Sequence, residues 1–455
     1  LQILSEQQVV EIYESVINEP IEAYFEEEIS SSLFDEDIKP GQVLSEKINN
    51  ELDVVELMLS NNIKVIYKKT DFKNDELLFT AFSPGGHSLT SDNLYFSASE
   101  ASDIVSYSGL GPFNQTQLDK YLLDKNVSVK PFIGELTEGF TGKSNKKDLE
   151  TMFQMLNLYF TQPKKDQMAF NSYIERLSGF LENKSLSPED VFFDSVVTII
   201  NSNHLRAKPL DLKKLKQIQI DDVMDVYNDR FKDPSDFTFI FVGNIEVDMF
   251  YEYLNKYLGS IPSIDRDETW VDVGKEFPPG VINESIYKGM EEKSFVYLTF
   301  SDEILWSEKE SNDLKTFTNA FKIKLREVLR EDMGGTYGVW VPSKLSKYPK
   351  GKYMFRIIFG CDPNSVDILT NALFSEIENV KENGLEEKYL SKAKEIQKNE
   401  FDKNLRENKY WLNELKSMYF NNSSAYKLLD YNNMVEDIKV EDIKIMANKY
   451  LNTNN

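Results

Sequence analysis

An arginine and a tyrosine stand seven residues apart around a double glycine, in the stretch REDMGGTYGVWV at residues 330–341. The guanidinium of Arg330 offers a fork of hydrogen-bond donors that suits a carbonyl or a carboxylate, and the phenol of Tyr337 adds a donor on a rigid ring. Arg326, one turn earlier, is the alternative partner of the tyrosine. The same pattern also fits a cation favoured by the dipole at a helix C-terminus, followed by an ordinary strand tyrosine.

A helix and a strand must position these two side chains. Apolar residues recur on one helical face at Leu314, Phe317, Phe321, Leu325 and Val328. The pattern predicts a helix from about Trp306 to about Met333, and Gly334 or Gly335 then gives the backbone the freedom to leave it. A strand is predicted from about Thr336, with alternate residues on opposite faces. This helix–turn–strand geometry directs the guanidinium and the phenol toward the same region.

Other reactive side chains are sparse, since the chain has two histidines and one cysteine. His87 follows a double glycine and is predicted to lie in a surface loop, as is His204. Neither has a histidine partner, and a lone imidazole cannot build a three-ligand zinc site. Cys361 cannot form an internal disulfide and is predicted to be a buried or half-buried thiol. The sequence contains no Walker loop, G-x-S-x-G elbow or C-x-x-C pair.

Length and charge limit the class of protein. A chain of 455 residues with 41% hydrophobic content favours two or three domains. A formal charge of −24 argues against nucleic acid or an anionic membrane surface as the main partner, because both select for basic faces. No run of about 18 apolar residues occurs, so no membrane-spanning segment is predicted.

Four pairs of segments recur in the same order at offsets of 218 to 220 residues. They are KVIYKKTD at 64–71 with ESIYKGME at 284–291, LLFTAFSPGG at 77–86 with FVYLTFSDEI at 295–304, DLETMFQML from Asp148 with DILTNALFS from Asp367, and IDDVMDVYNDRF from Ile220 with VEDIKIMANKYL from Val440. This repetition predicts two copies of one unit, each a little over 200 residues long.

Each copy opens with two strands, continues with a long helix and further strands, and ends in several helices. The predicted fold is therefore α+β, a tandem duplication of two homologous domains, each a mainly antiparallel sheet with helices packed on one side. We expect the first repeat at 49–262 and the second at 275–455, the latter without the final strand that FTFIFVGNI at 237–245 supplies in the first. Residues 1–48 are predicted to be a helix and an acidic linker, the tail of a preceding domain. We infer a fragment of a longer polypeptide, and a trimmed mature chain is the alternative.

The repeats, together with LSNNIKVIYKKTDF, FSPGGHSLTSDNLYFSASEASDIVSYSGLG and LREDMGGTYGV, resemble the C-terminal half of pitrilysin/insulinase-family metallopeptidases, in the group of long bacterial zinc proteases. The resemblance covers the chain from about residue 50. It implies a clamshell of two homologous halves that close around a peptide chamber, with zinc held by the N-terminal half alone.

In that family an H-x-x-E-H motif on a helix binds the zinc. At the matching position this chain has Glu100, Asp103 and Ile104, which reads E-x-x-D-I, so both imidazoles are missing. The resemblance therefore implies no metal in this chain and zinc on the partner half. It also implies that Arg330 and Tyr337 bind the substrate backbone near the scissile bond and stabilise the oxyanion that forms at the zinc.

The function implied by the resemblance is the zinc-free half of a metalloendopeptidase, which is inactive alone and forms the wall of the peptide chamber. Its partners would be a zinc-bearing N-terminal half or subunit and a peptide substrate. The alternative is a non-catalytic peptidase homologue that acts as a peptide-binding or scaffolding module. Bacterial relatives of this kind are often periplasmic or envelope-associated, which is the compartment we expect.

Overall fold

The computed structural model describes residues 5–18, 32–34 and 38–453. The chain divides into two units, Leu1–Ser32 and Leu33–Asn455. In the first unit, the helix expected near the N-terminus is present as α1, Glu6–Asn18, none of whose residues is buried. Most of the predicted acidic linker, residues 19–31 and 35–37, lies outside the described residues. All further elements belong to the second unit.

The first repeat contains a seven-stranded sheet. Its strands are β1 Val43–Asn49, β2 Val54–Leu59, β3 Lys64–Lys69, β4 Leu77–Pro84, β5 Val127–Ile133, β6 Thr137–Ser144 and β7 Thr238–Gly243. Their order across the sheet is β1-β2-β3-β7-β4-β6-β5, and the neighbours are antiparallel except for β3 and β7. Strand β1 lies within the stretch where the sequence suggested a linker. Val65, Ile66 and Tyr67 of β3 are buried, as is β7 from Phe239 onward, because both strands lie inside the sheet and both faces are covered there.

The helices of the first repeat follow the order expected from the sequence. They are α2 Tyr95–Tyr107, α3 Gln115–Leu122, α4 Leu149–Thr161, α5 Gln167–Leu186, α6 Pro188–Ile199, α7 Leu212–Leu215, α8 Ile220–Phe231 and α9 Val247–Tyr253. Capping residues determine where several of these helices begin. Asn114 forms a capping box with Gln117 at the start of α3, and Ser187 caps α6, whose first residue is Pro188.

The second repeat contains a smaller, fully antiparallel sheet. Its strands are β8 Ser294–Glu303, β9 Thr336–Trp340, β10 Ser343–Ser346 and β11 Lys352–Cys361, and β11 pairs with each of the other three. The helices are α10 Glu308–Arg326, α11 Val366–Asn383, α12 Glu387–Asn404, α13 Asn408–Asn421, α14 Tyr426–Leu429, α15 Tyr431–Glu436 and α16 Val440–Tyr450.

Corresponding helices of the two repeats keep the spacing seen in the sequence. Helices α5, α6 and α8 begin at Gln167, Pro188 and Ile220, and α12, α13 and α16 begin 220 positions later at Glu387, Asn408 and Val440. This regularity confirms the predicted duplicated α+β fold. The boundaries of the repeats at 49–262 and 275–455 stay predictions.

The strand predicted within residues 284–291 is wrong. Residues 281–293 form neither helix nor strand, and Tyr287 is 93% exposed. The corresponding strand β3 lies between β2 and β7, which satisfy its backbone groups. The described part of the second repeat has no strand that corresponds to β2 or to β7. Strand β8 therefore pairs with β11 alone. A segment of strand-like sequence without a neighbour gains no hydrogen bonds from becoming extended.

A helix of each repeat packs against the sheet of the other repeat. Leu415 of α13 is fully buried in an apolar cluster with Ile66 of β3 and Ile240 of β7. In the opposite direction, Phe193 of α6 packs against Tyr297 of β8, with ring centroids 6.3 Å apart. The sequence predicted helices on one side of each sheet and did not reveal this exchange. The two repeats are therefore held together through their sheets.

Candidate substrate-binding site

Arg330 lies in an irregular turn at the end of α10. The helix ends at Arg326 and continues as a π-helical segment, Glu327–Asp332, after which Gly334 adopts φ +61°. Leu329 anchors this segment in the core of the second repeat, whereas Arg330 is exposed. The backbone carbonyl of Arg330 accepts a hydrogen bond from Gly334 N at 3.2 Å. π-helical turns of this kind are frequent at functional sites.

Tyr337 lies in a β-bulge on the strand that follows. Thr336 is opposite Cys361 and Val339 is opposite Phe359, so Tyr337 and Gly338 together face the single residue between those two on β11. The side chain of Tyr337 lies outside the described residues. Bulges bend a strand and redirect its side chains, which is why they occur next to binding sites.

Thr336 fixes the shape of this bulge. Its hydroxyl donates to Gly360 O at 2.7 Å and accepts from Gly338 N at 3.3 Å. Beyond the bulge, Val339 is buried in the core while Trp340 is 55% exposed on the opposite face. The predicted helix, glycine turn and strand are thus present. The bulge breaks the predicted alternation, because Thr336 and Val339 are both buried although strict alternation would place them on opposite faces.

The two candidate arginines differ in their surroundings. Arg326 lies 4.0 Å from Glu331, measured from Nε to Oε1. The guanidinium of Arg330 makes no hydrogen bond or ion pair with any other residue in the described part of the chain. Arg330 and Arg326 therefore differ in that only Arg326 has a carboxylate nearby among the side chains that the structure describes.

By the resemblance, α2 is the helix that matches the zinc-binding helix of the related peptidases. Ile104 is 1% exposed in the core, and Glu100 accepts a hydrogen bond from Tyr173 at 2.8 Å. Burial, and then the negative charge of Asp103, raises the pKa of Glu100, while the Tyr173 hydroxyl lowers it. These residues do not fit a zinc ion, because they include no imidazole and one position is an apolar core residue. Over the described residues, no group of three metal-ligating side chains occurs.

The prediction that His87 lies in a surface loop is wrong. It is 9% exposed, its backbone N–H donates to Gly134 O at 2.8 Å, and its ring packs edge-on against Tyr95. Burial, with the positive charges of Arg206 and Lys275, lowers the pKa of His87 to about 4. A Cβ on Gly86 would lie 2.3 Å from Gly134 O, so the double glycine permits close packing.

His204 and Cys361 have structural surroundings. His204 is partly exposed and caps a short turn, with Nδ1 accepting a hydrogen bond from Arg206 N at 3.2 Å. Cys361 is 8% exposed at the end of β11, and burial raises the pKa of its thiol. The expected buried thiol is confirmed, and a raised pKa is typical of an unreactive cysteine.

A buried carboxylate on β6 escaped the sequence reasoning. Glu138 is fully buried, accepts a hydrogen bond from Gly86 N and lies 3.9 Å from a guanidinium nitrogen of Arg230. Burial raises the pKa of Glu138 to about 7, although Gly86 N–H and Arg230 both lower it. Arg230 also binds Glu268 at 2.9 Å, which ties the segment after the first repeat to this cluster. The signal in the sequence was weak, since Glu138 is one acidic residue in a strand that also contains Lys143.

The two α+β repeats, and the absence of imidazoles from the helix that matches the zinc helix, are the features that comparison with known proteins can test. Residues 217–397, which include Arg330 and Tyr337, match the model of the Peptidase M16 inactive domain. This match and the relatives described next confirm the resemblance to the zinc-free half of pitrilysin/insulinase-type peptidases.

The chain is 25% identical over 408 residues to a zinc protease PQQL-like protein of Arabidopsis thaliana, covering 86% of this chain and 40% of the relative. Its fold is similar to that of the periplasmic protease PqqL from Escherichia coli, with a TM-score of 0.80 at 19% identity over 99% of this chain and 50% of the other. It is also similar to a peptidase M16 inactive domain from Pseudomonas fluorescens, with a TM-score of 0.68 at 15% identity over 88% and 96% of the two chains. The chain spans about two fifths of the length of the curated relatives it matches.

No helix in the described part of the chain is both long enough and apolar enough to cross a membrane.

Proposed function

We propose that this chain is the zinc-free half of a metalloendopeptidase and that Arg330 and Tyr337 bind the substrate backbone. The observation that carries the proposal is the turn between α10 and β9, where a π-helical segment, a left-handed glycine and a β-bulge follow one another within residues 327–338. Three irregular features in succession are expensive in a purely structural connection and typical of a site.

The zinc required for peptide hydrolysis belongs, in this proposal, to a second half of the same precursor or to a partner subunit. That half supplies the Lewis acid and the activated water. The donors of Arg330 and Tyr337 meet the negative charge that develops on the carbonyl oxygen of the substrate. The chain by itself is therefore expected to be inactive. The periplasmic relative supports an envelope or periplasmic location for the assembled enzyme.

A reconstitution experiment tests this function. The chain is purified alone and then mixed with, or fused to, the zinc-bearing half encoded in the same genome, and cleavage of a library of quenched fluorescent peptides is measured. We expect no cleavage by this chain and strong stimulation of the zinc half by it. Full activity of the zinc half alone, together with peptide binding by this chain, would instead support the binding or scaffolding role.

A further inference from the structure

One face of the second sheet is turned away from the core of its repeat. Burial alternates along β11, so that Phe355 faces the core and Arg356 faces the opposite side. Helix α6 covers one end of this opposite side, where Phe193 packs against Tyr297. The other end is uncovered, since Trp340 of β9 is 55% exposed. We call this uncovered part the open face, and it consists of Trp340, Lys344, Met354, Arg356 and Ile358.

Strand pairing places the residues of the open face next to one another. Trp340 is opposite Ile358, and Lys344 is opposite Met354. Each of these positions on β11 is two residues from Arg356, so Trp340 and Lys344 are diagonal neighbours of the arginine, at about 7–8 Å between Cα atoms. Arg356 therefore lies between an exposed indole and an exposed ammonium group.

The Arg356 guanidinium is held in place by the sheet. Its Nη1 donates a hydrogen bond to the Tyr297 hydroxyl at 3.4 Å. Its Nε is buried without an acceptor among the described residues, so a ligand cannot reach this nitrogen. Nη2 has no acceptor among those residues either, and in contrast to Nε it is not buried. Nη2 is therefore the donor that Arg356 can offer to a ligand.

The charges on this side of the sheet favour an anion. Among the described residues, the strands carry three cationic side chains here, those of Lys344, Lys352 and Arg356, and one carboxylate, that of Glu303. Lys352 is paired with Glu276 of the preceding segment at 2.6 Å. Neither Lys344 nor Arg356 forms an ion pair in the part of the chain that the structure describes. Two unpaired cations side by side are a specific feature in a chain with a net charge of −24.

Trp340 adds an apolar surface beside these cations. A Cβ on Gly338 would lie 3.8 Å from the indole, so the ring extends back along the strand over that glycine. Flat aromatic surfaces of this kind cover apolar side chains of a ligand. Gly338 follows Tyr337 in the bulge, so the indole connects the open face with the turn at Arg330.

We propose that the open face binds a carboxylate of a peptide. The carboxylate accepts a hydrogen bond from Arg356 Nη2 and lies near the Lys344 ammonium, and a neighbouring apolar side chain of the peptide packs on Trp340. The carboxylate belongs to an acidic side chain or to the C-terminus of the peptide, since both have the same chemistry. That the ligand is a peptide rests on the proposed function, whereas the requirement for a carboxylate rests on Arg356 and Lys344.

Calorimetric titration of the isolated chain with matched peptides tests the charge requirement. Acetyl-Gly-Phe-Glu-Gly-amide carries one carboxylate, and acetyl-Gly-Phe-Gln-Gly-amide has nearly the same shape without it. We expect the glutamate peptide to bind about tenfold more tightly or better, because hydrogen bonds between charged groups are the stronger ones. The preference should shrink in about 0.5 M NaCl, which screens exposed charges.

A third peptide identifies the source of the carboxylate. Acetyl-Gly-Phe-Gln-Gly with a free C-terminus carries its one carboxylate at the end of the chain. Binding of this peptide as well as of the glutamate peptide assigns the open face to both kinds of carboxylate, and binding of only one of them identifies which kind it takes.

Variants of the open face test its location. Arg356→Met removes the guanidinium and keeps an apolar stem, and Lys344→Met removes an exposed ammonium. Each should reduce the preference for the glutamate peptide, whereas Trp340→Ala should weaken both peptides alike. Lys444→Met is the matched control, because this exposed lysine lies on α16, which packs in the core on the other side of the sheet. The control should keep both affinities unchanged.

Arg330→Ala separates this inference from the proposed function. It should keep the preference for the glutamate peptide even where it weakens both peptides, because the carboxylate binds elsewhere. Normal stimulation of the zinc half without any preference for a carboxylate would reject the open face alone. Circular dichroism verifies the fold of each variant, and Lys344→Met suffices if Arg356→Met does not fold.

Three results would overturn the proposal. They are the absence of heat with any of the three peptides at millimolar concentration, equal affinity for the peptides with and without a carboxylate, and an unchanged preference in both Arg356→Met and Lys344→Met.

Discussion

Tyr173 of α5 donates a hydrogen bond to Glu100 of α2 at 2.8 Å, and Glu100 is the residue that the resemblance matches to the first histidine of the H-x-x-E-H motif. The Arg176 guanidinium lies 4.5 Å above the ring of Tyr107 and 5.5 Å from that of Tyr173. A carboxylate that could have faced a metal is thus part of a hydrogen-bonded and cation–π cluster. These contacts fix the orientation of α2 against α5.

The first prediction concerns zinc. The purified chain should contain no stoichiometric zinc, because α2 carries Glu100, Asp103 and Ile104 without an imidazole. Metal analysis by inductively coupled plasma mass spectrometry measures the ratio, and the melting temperature should not change when a chelator is added. One tightly held zinc ion per chain would show that our interpretation of this helix is wrong.

The second prediction concerns the turn between α10 and β9. In the enzyme reconstituted with its zinc half, Arg330→Ala and Tyr337→Phe should each lower kcat/KM by on the order of 10²-fold, the usual effect of losing one oxyanion donor. The melting temperature should change little, because Arg330 is exposed. Steady-state kinetics with a fluorescent peptide checks this.

Arg326→Ala is the matched control, since this arginine lies one turn earlier and close to Glu331. Its effect on kcat/KM should be small. A larger loss in Arg326→Ala than in Arg330→Ala would reverse the assignment of the binding arginine, and unchanged kinetics in both would remove the site from this turn.

The third prediction concerns the pH dependence of stability through Glu138. Its pKa is raised from 4.5 to about 7 in the folded protein. A carboxyl group with a raised folded-state pKa contributes stability that is fully present below its unfolded pKa and is lost as the pH rises through the folded value. Between pH 4.5 and 7.5 the native protein should therefore lose about 3 kcal/mol relative to Glu138→Gln, whose side chain does not titrate.

Urea denaturation of both proteins across this pH range measures the difference. Glu395→Gln, at an exposed position of α12, should follow the native curve. Parallel curves for the native protein and Glu138→Gln would mean that Glu138 does not change its protonation in this range.

The fourth prediction concerns the exchange of helices between repeats. Leu415→Ala on α13 should cost about 2–5 kcal/mol, because the residue is fully buried against β3 and β7. Leu373→Ala on α11 is the matched control, since Leu373 is equally buried but lies within the core of the second repeat. Only Leu415→Ala should accelerate amide hydrogen exchange at Ile66 and Ile240. Equal acceleration by both variants would argue that α13 does not couple the repeats.

Sequence patterns were sufficient to predict the structure where it depends on interactions between residues close together in the chain. The apolar stripe of α10, the glycine after it and the start of β9 were predicted, because helix and strand periodicities follow from the backbone itself. The bulge at Tyr337 and Gly338 was not predicted. The constant offset between the two copies also predicted that the helices of the second repeat follow the same order as those of the first. Patterns failed at residues 284–291, whose apolar residues suggest a strand, because a strand also needs neighbours that a local pattern cannot reveal.

The sequence by itself determined that the chain is a duplicated α+β protein, that it lacks the imidazoles of a zinc site and that Arg330 precedes Tyr337 across a glycine turn. Only the tertiary structure decided that α6 and α13 each pack on the sheet of the other repeat, that His87 is buried and that Glu138 is buried beside Arg230. The physical reason is the separation along the chain of the residues that interact. Periodicity and motif spacing reflect hydrogen bonding and steric limits among near neighbours, whereas burial and cavity shape depend on which surfaces meet after residues far apart in the chain have packed together.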